Sequence, residues 1–157
     1  MNFALGRDLA QLVDIVPALA HTNVTAGGSG DATDANGVSI DQAAAGRQKA
    51  ECITFVVVAE ATLASAQTLS NAIRVQDSAN GSSWADVVDP RVPSATFSTA
   101  ATSAAGVATN QTVAKLSVPT EYLRQYVRVV ATPNLSASGT DTARLQGVAI
   151  LSGLAKV

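Results

Sequence analysis

Between Ala72 and Val88 the chain reads AIRVQDSANGSSWADVV, and this stretch restricts the fold more than any other. Ile73 and Val75 alternate with Arg74 and Gln76, the period of a strand with one dry face and one wet face. The polar cluster Ser78-Ala79-Asn80-Gly81-Ser82-Ser83 interrupts that period, and Asn80-Gly81 offers the two positive-φ residues of a tight hairpin turn. Trp84, the only tryptophan, then opens a return strand through Val87 and Val88. The stretch predicts a β-hairpin and carries no catalytic chemistry.

Other segments repeat the strand signal. Ile53-Thr54-Phe55-Val56-Val57-Val58 is β-branched and aromatic throughout, which predicts a central strand covered on both faces. Gln111 to Val118 sets Val113, Lys115 and Ser117 against Ala114, Leu116 and Val118, a half-buried strand that Pro119 ends. Tyr126-Val127-Arg128-Val129-Val130 is a further strand, stopped by Pro133. Thr142 to Leu151 alternates Leu145, Gly147, Ala149 and Leu151 with Arg144, Gln146, Val148 and Ile150. Val38 to Gln42 reads as a short strand, and Ala43 to Ala50 as a connector with one helical turn. Ala61 to Asn71 reads as a link, and Val92 to Asn110 as an edge region or long loop. The tracts Thr22 to Gly37 and Asn134 to Asp141 are loop material.

Near the N-terminus, Leu5, Leu9, Leu12 and Val16 fit a short amphipathic helix up to Asp14, and Pro17 disfavours helix at the residue before it. This segment either closes the domain's own core or reaches a neighbouring subunit as an arm. Short strands parted by Gly, Pro, Asn and Ser clusters predict an all-β fold, an antiparallel β-sandwich. Residues 1–20 form an N-terminal arm or short helix in this reading, and residues 21–157 a single sandwich domain.

The 157 residues suffice for one such core without disulfide or metal staples. Charged residues make up only 14%, against roughly 25% in an average soluble domain, and Ala, Ser, Thr and Val fill their place. A surface so poor in charge suits one that neighbours cover. The net charge of −2 and the lack of any basic run argue against direct nucleic-acid binding. No apolar run approaches the ~20 residues of a membrane helix, so no membrane partner is expected. Ala18-Leu19-Ala20 resembles a signal-peptide cleavage site, but Asp14 and Pro17 break the apolar region before it, and export by that route is not expected.

The inventory for chemistry is thin. His21 is the only histidine, and no nucleophile-elbow pattern surrounds any serine. Cys52 stands alone in an apolar run, which leaves it a small buried hydrophobe and supplies no disulfide. One His and one Cys give at most half of a tetrahedral zinc set. Gly27-Gly28-Ser29-Gly30-Asp31 lacks the Lys-Ser/Thr of a phosphate loop. Asp31, Asp34 and Asn36 before Gly37 could bend around calcium, although Ala32 stands where the EF-hand pattern wants a ligand. Asp77 and Asp86 flank the hairpin as acids that could face one another. The Asn-x-Ser/Thr sites at Asn23, Asn80, Asn110 and Asn134 read as loop markers.

Three stretches carry a family resemblance: CITFVVVAE, IRVQDSANGSSWADV and YVRVVATP. Together they resemble small β-sandwich virion proteins of tailed bacteriophages, of the decoration or cement kind. VQDSANGSSWADV followed by QYVRVV also resembles discoidin-type jelly rolls that bind carbohydrate or lipid. Six aromatics, mostly within strands, and the unpaired Cys52 fit the phage proteins better. That resemblance implies a non-enzymatic, jelly-roll-like capsid protein without cofactor or metal. It implies trimers or other homo-oligomers seated on the major capsid protein, on the virion exterior, after assembly in the host cytoplasm. Phe3, Leu5, Leu9 and Leu12 are then the expected subunit or capsid contacts. A discoidin-type module would instead use loops near Trp84, and a connector or tail protein is the other structural alternative.

Overall fold

Alternating sequence becomes strand nearly everywhere in the computed structural model, which describes residues 13–44, 50–88, 91, 95–100, 108–136 and 139–153. The strands are β1 (Val13–Thr25), β2 (Ala35–Asn36), β3 (Ile40–Asp41), β4 (Cys52–Leu63), β5 (Thr68–Ser78), β6 (Ala85–Asp86), β7 (Ala95–Ala100), β8 (Ala108–Pro119), β9 (Tyr126–Leu135) and β10 (Thr142–Ser152). Among the described residues the only helical element is a 3-10 turn at Thr120–Tyr122. One sheet runs β1-β10-β4-β8, antiparallel throughout. In the other, β9 pairs with β5, the short β2 and β3 line β9, and β6 and β7 line β5.

With β2 and β3 taken as one interrupted strand and β6 as a brief return in the hairpin, the sheets follow the orders 1-8-3-6 and 2-7-4-5. That is the double Greek key of a jelly roll. The all-β sandwich expected from the sequence is therefore the observed fold.

The core lies between the sheets. Ile53, Phe55, Val57, Ala61 and Leu63 of β4 are fully buried and meet Leu69, Ile73 and Val75 of β5 and Val127, Val129 and Ala131 of β9 in one cluster. Burying each large side chain contributes about 1.5–3 kcal/mol. Leu145, Ala149 and Leu151 of β10 and Leu116 and Val118 of β8 complete it, the inward sets that alternation predicted.

The two sheets are tied at their ends. Asp31 accepts the Gly27 and Leu135 N–H groups at 2.7 and 2.8 Å. Asp141 is buried and accepts Ala64 N–H at 2.9 Å, while its carbonyl accepts Ala26 N–H at 3.0 Å. After β2 the chain squeezes between the sheets: Gly37 donates to the Val129 carbonyl of β9, and Val38 to the Ala18 carbonyl of β1, both at 2.8 Å. A Cβ on Gly37 would overlap the Ala18 and Val129 carbonyl oxygens, so space rather than φ requires glycine there.

Several expectations change. The described part of the proposed N-terminal helix, from Val13 on, is strand, because pairing with β10 overrides the helical spacing. β1 crosses the boundary set at residue 20, while residues 1–12, including Phe3, Leu5, Leu9 and Leu12, lie outside the described residues. The strand of Tyr126 runs on through Pro133 to Leu135 instead of stopping. The link Ala61 to Asn71 is mostly strand, with a turn only around Ala64–Gln67. Of the Asn-x-Ser/Thr sites, Asn23, Asn110 and Asn134 stand in strands, and only Asn80 marks a loop.

The hairpin forms with a different turn. Residues 79–84 bridge β5 and β6, and of Asn80-Gly81 only Gly81 has positive φ, at 72°. Side chains replace the tight turn's hydrogen bonds. Ser78 Oγ accepts Asn80 and Gly81 N–H at 3.2 and 3.0 Å, and Asn80 Oδ1 accepts Ser82 and Ser83 N–H at 3.0 and 2.9 Å.

Candidate interaction surface

On the outer face of the β5–β9 sheet, the polar side chains around Arg74 and Arg128 bind one another. Arg74 donates from Nε to Asp86 at 3.0 Å, forks onto the Asp34 carboxylate, and reaches Thr132 Oγ1 at 3.1 Å. The hydrogen bond from Arg74 is the main reason that the Asp34 carboxyl sits below the usual carboxylate range. The same contact raises the Arg74 pKa. Arg128 gives two hydrogen bonds to Gln76 Oε1, at 3.0 and 2.7 Å, and stacks 4.4 Å from the Trp84 ring centroid. Burial, and then the neighbouring Arg74, lower its pKa. Gln76 closes the chain by donating to Asp86 at 2.8 Å.

Trp84 is therefore no anchor of the core; it is a half-buried platform under a guanidinium. Asp77 and Asp86 do not face one another. Asp77 is buried on the inner side, accepting Arg124 N–H at 2.9 Å, and Asp86 belongs to the outer network. Asp31 and Asp34, weighed above as calcium ligands, are committed to backbone N–H groups and to Arg74 respectively. Among the described residues no group of three or more His, Cys, Asp or Glu is placed to hold a metal. His21 is exposed and shares a 3.0 Å hydrogen bond with Asn23.

The four-stranded sheet presents the opposite surface. Register sets Ile15, Ile150, Thr54 and Ser117 in one cross-strand row and Pro17, Val148, Val56 and Lys115 in the next. A third row carries Gln146, Val58 and Val113. All point away from the core, and Ile15, Val113 and Val148 are 60, 56 and 41% exposed. Thr54 and Ser117 share a 2.9 Å hydrogen bond at one side. At the other end Gln111 donates to Glu60 at 2.9 Å, and His21, Glu60, Gln111, Arg144 and Gln146 border an open depression of about 230 Å³. An apolar centre with a polar rim is the anatomy of a protein–protein interface.

This surface corrects the reading of β4. Its run Ile53 to Val58 predicts cover on both faces, yet the outer side chains Thr54, Val56 and Val58 are only partly buried. One chain supplies one cover. A period of two marks the buried set of each strand and leaves the outer rows without a periodic signal of their own. The available signal was the opposite set, where Val148 and Ile150 stand among the supposedly wet residues of β10 and Val113 among those of β8.

No protein-family model matches the chain, and no curated protein matches it. Among solved structures it is similar to a mutant VP2 protein of infectious bursal disease virus in derived T=1 particles, with TM-score 0.46, 12% identity, and cover of 90% of this chain and 32% of that one. It is also similar to a VP2 subviral particle of the same virus, with TM-score 0.43, 13% identity, and cover of 90 and 33%. For the Gx strain structure the values are 0.41, 10%, and 92 and 38%. The chain spans about a third of the length of those chains.

Proposed function

We propose that this protein is a non-enzymatic structural subunit of a virion, a decoration or cement protein that stabilises a tailed-phage head by bridging major capsid subunits. The observation that carries the proposal is the uncovered apolar outer face of the four-stranded sheet, on a jelly roll whose other sheet carries a polar network on its outer face. The low charged fraction of 14% points the same way. Binding only the assembled shell shifts assembly towards that state, and symmetric repetition multiplies modest contacts. Phe3, Leu5, Leu9 and Leu12 serve as further contacts in this reading, and the chain acts as a homo-oligomer on the capsid exterior.

The test is addition of the full chain to undecorated heads of the phage that encodes it. Saturable binding and a higher rupture temperature are expected; heads that take up none of the chain overturn the proposal. A carbohydrate-binding role of discoidin type is disfavoured by one specific contact. Arg128 already covers the ring of Trp84, which a sugar would need for stacking.

A further inference from the structure

The chain holds two Asn-Gly pairs, Asn36-Gly37 and Asn80-Gly81, and both asparagines are exposed. Such pairs share one intrinsic reaction. With no Cβ to crowd it, the glycine nitrogen attacks the asparagine side-chain amide carbon and closes a five-membered succinimide. We propose that the turn between β5 and β6 promotes this reaction at Asn80, with the Ser78 hydroxyl as proton relay, so that the hairpin modifies itself.

As the Gly81 nitrogen adds to Asn80 Cγ, a proton must leave that nitrogen and another must reach Asn80 Oδ1. The Ser78 hydroxyl joins these two atoms. Its oxygen accepts Gly81 N–H at 3.0 Å, and its own proton is donated to Asn80 Oδ1, also at 3.0 Å. One hydroxyl can thus take the proton of the nucleophile and hand on its own, which spares the step a free amide anion. Ser82 and Ser83 N–H groups also donate to Oδ1, at 3.0 and 2.9 Å. Negative charge develops on that oxygen as the carbon becomes tetrahedral, so the two N–H groups stand where an oxyanion hole would. Ser78 is fully buried, and a Cβ on Gly81 would lie 3.5 Å from the Tyr126 ring, so relay and turn are held in place beforehand.

The carbonyl then re-forms as the bond from Cγ to the amide nitrogen breaks, and the Oδ1 proton leaves with the departing ammonia. Water opens the ring at either carbonyl and returns a proton to the Gly81 nitrogen, leaving an aspartyl or isoaspartyl residue at position 80. The net change is gain of water and loss of ammonia.

Asn36-Gly37 lacks the relay. Gly37 N–H donates to the Val129 carbonyl at 2.8 Å, and a carbonyl has no proton to pass on. Asn36 is also paired with Val130 in β2, which makes it an internal control of equal sequence and similar exposure.

The test is peptide mapping by mass spectrometry of the full-length chain, incubated from neutral to mildly alkaline pH, folded and in guanidinium chloride. Asn80 should convert at least roughly tenfold faster in the folded chain than in the unfolded one, whereas Asn36 should slow on folding. The Asn80 rate in the folded chain should rise less steeply than hydroxide concentration. In Ser78→Ala the advantage at Asn80 should disappear and its rate should follow hydroxide, with Asn36 unchanged. An Asn80 that converts no faster folded than unfolded overturns the proposal, as does a folded Ser78→Ala chain that keeps the wild-type rate. If circular dichroism shows that Ser78→Ala fails to fold, the folded-to-unfolded ratio and the pH dependence of wild type decide.

Discussion

On the β5–β9 sheet, the long polar side chains that point outward bind one another; on the four-stranded sheet, the outward side chains are mostly too short and apolar to do so. Arg74, Arg128, Gln76, Asp34 and Asp86 form a continuous network on the first. Ile15, Val56, Val113 and Val148 on the second have no such means of closing their surface. Both faces belong to one sandwich and share one core, so the difference is not one of fold. It shows that a sheet can finish its outer face alone through charge-assisted hydrogen bonds, or leave that face for another molecule to finish.

The contrast can be broken at its hinge first. Gly37→Ala forces a Cβ into the carbonyls of both sheets and should lower stability by about 3 kcal/mol or more in chemical denaturation. A loss under about 1 kcal/mol would mean that the sheets are not locked there. Next comes Arg74→Met, which leaves Asp34 and Asp86 without their cation. Both acids are substantially exposed, so the expected cost is only about 1–2 kcal/mol.

The bare face should respond differently. Val113→Thr with Val148→Thr should stay within about 0.5 kcal/mol of wild type, because these side chains lose little burial in the isolated chain. Should the pair cost as much as Arg74→Met, the face would be part of the fold's own support and the contrast would fail.

The smallest effect is set by pH. Asp34 has a folded-state pKa below its unfolded value, so its contribution is present above about 3.9 and is lost as pH falls through the depressed value. Asp34→Asn should remove that part of the acid limb of the stability profile, and an unchanged limb would show that the network adds nothing.

Most of the fold was legible because half-buried strands write their burial into a period of two. β10 and β8 show this: the inward sets Leu145 to Leu151 and Ala114 to Val118 are those that alternation assigns. What failed depended on distant partners. Nothing local says that Val13 will pair with Ser152, so Val13 and Asp14 read as the end of a helix although they open β1. Nothing local says that Arg128 will stack on Trp84 either, since the contact joins β9 to the hairpin. The candidate surface was legible in the second apolar face of β4, in Val148 and Ile150 of β10 and in Val113 of β8, but a sequence cannot say whether such a face is covered from within or from outside.

The pairing of β1 with β10 has a consequence in time. Among the described residues β10 is the only strand beside β1 in its sheet, and it is made more than a hundred residues later. At a synthesis rate of about 5–20 residues per second, β1 waits on the order of ten seconds for its partner. During that interval a crowded polysome holds many unpaired first strands next to many newly made last ones. Exchange of β1 between copies is thus a built-in hazard of this topology, and dilution or slower initiation should reduce it.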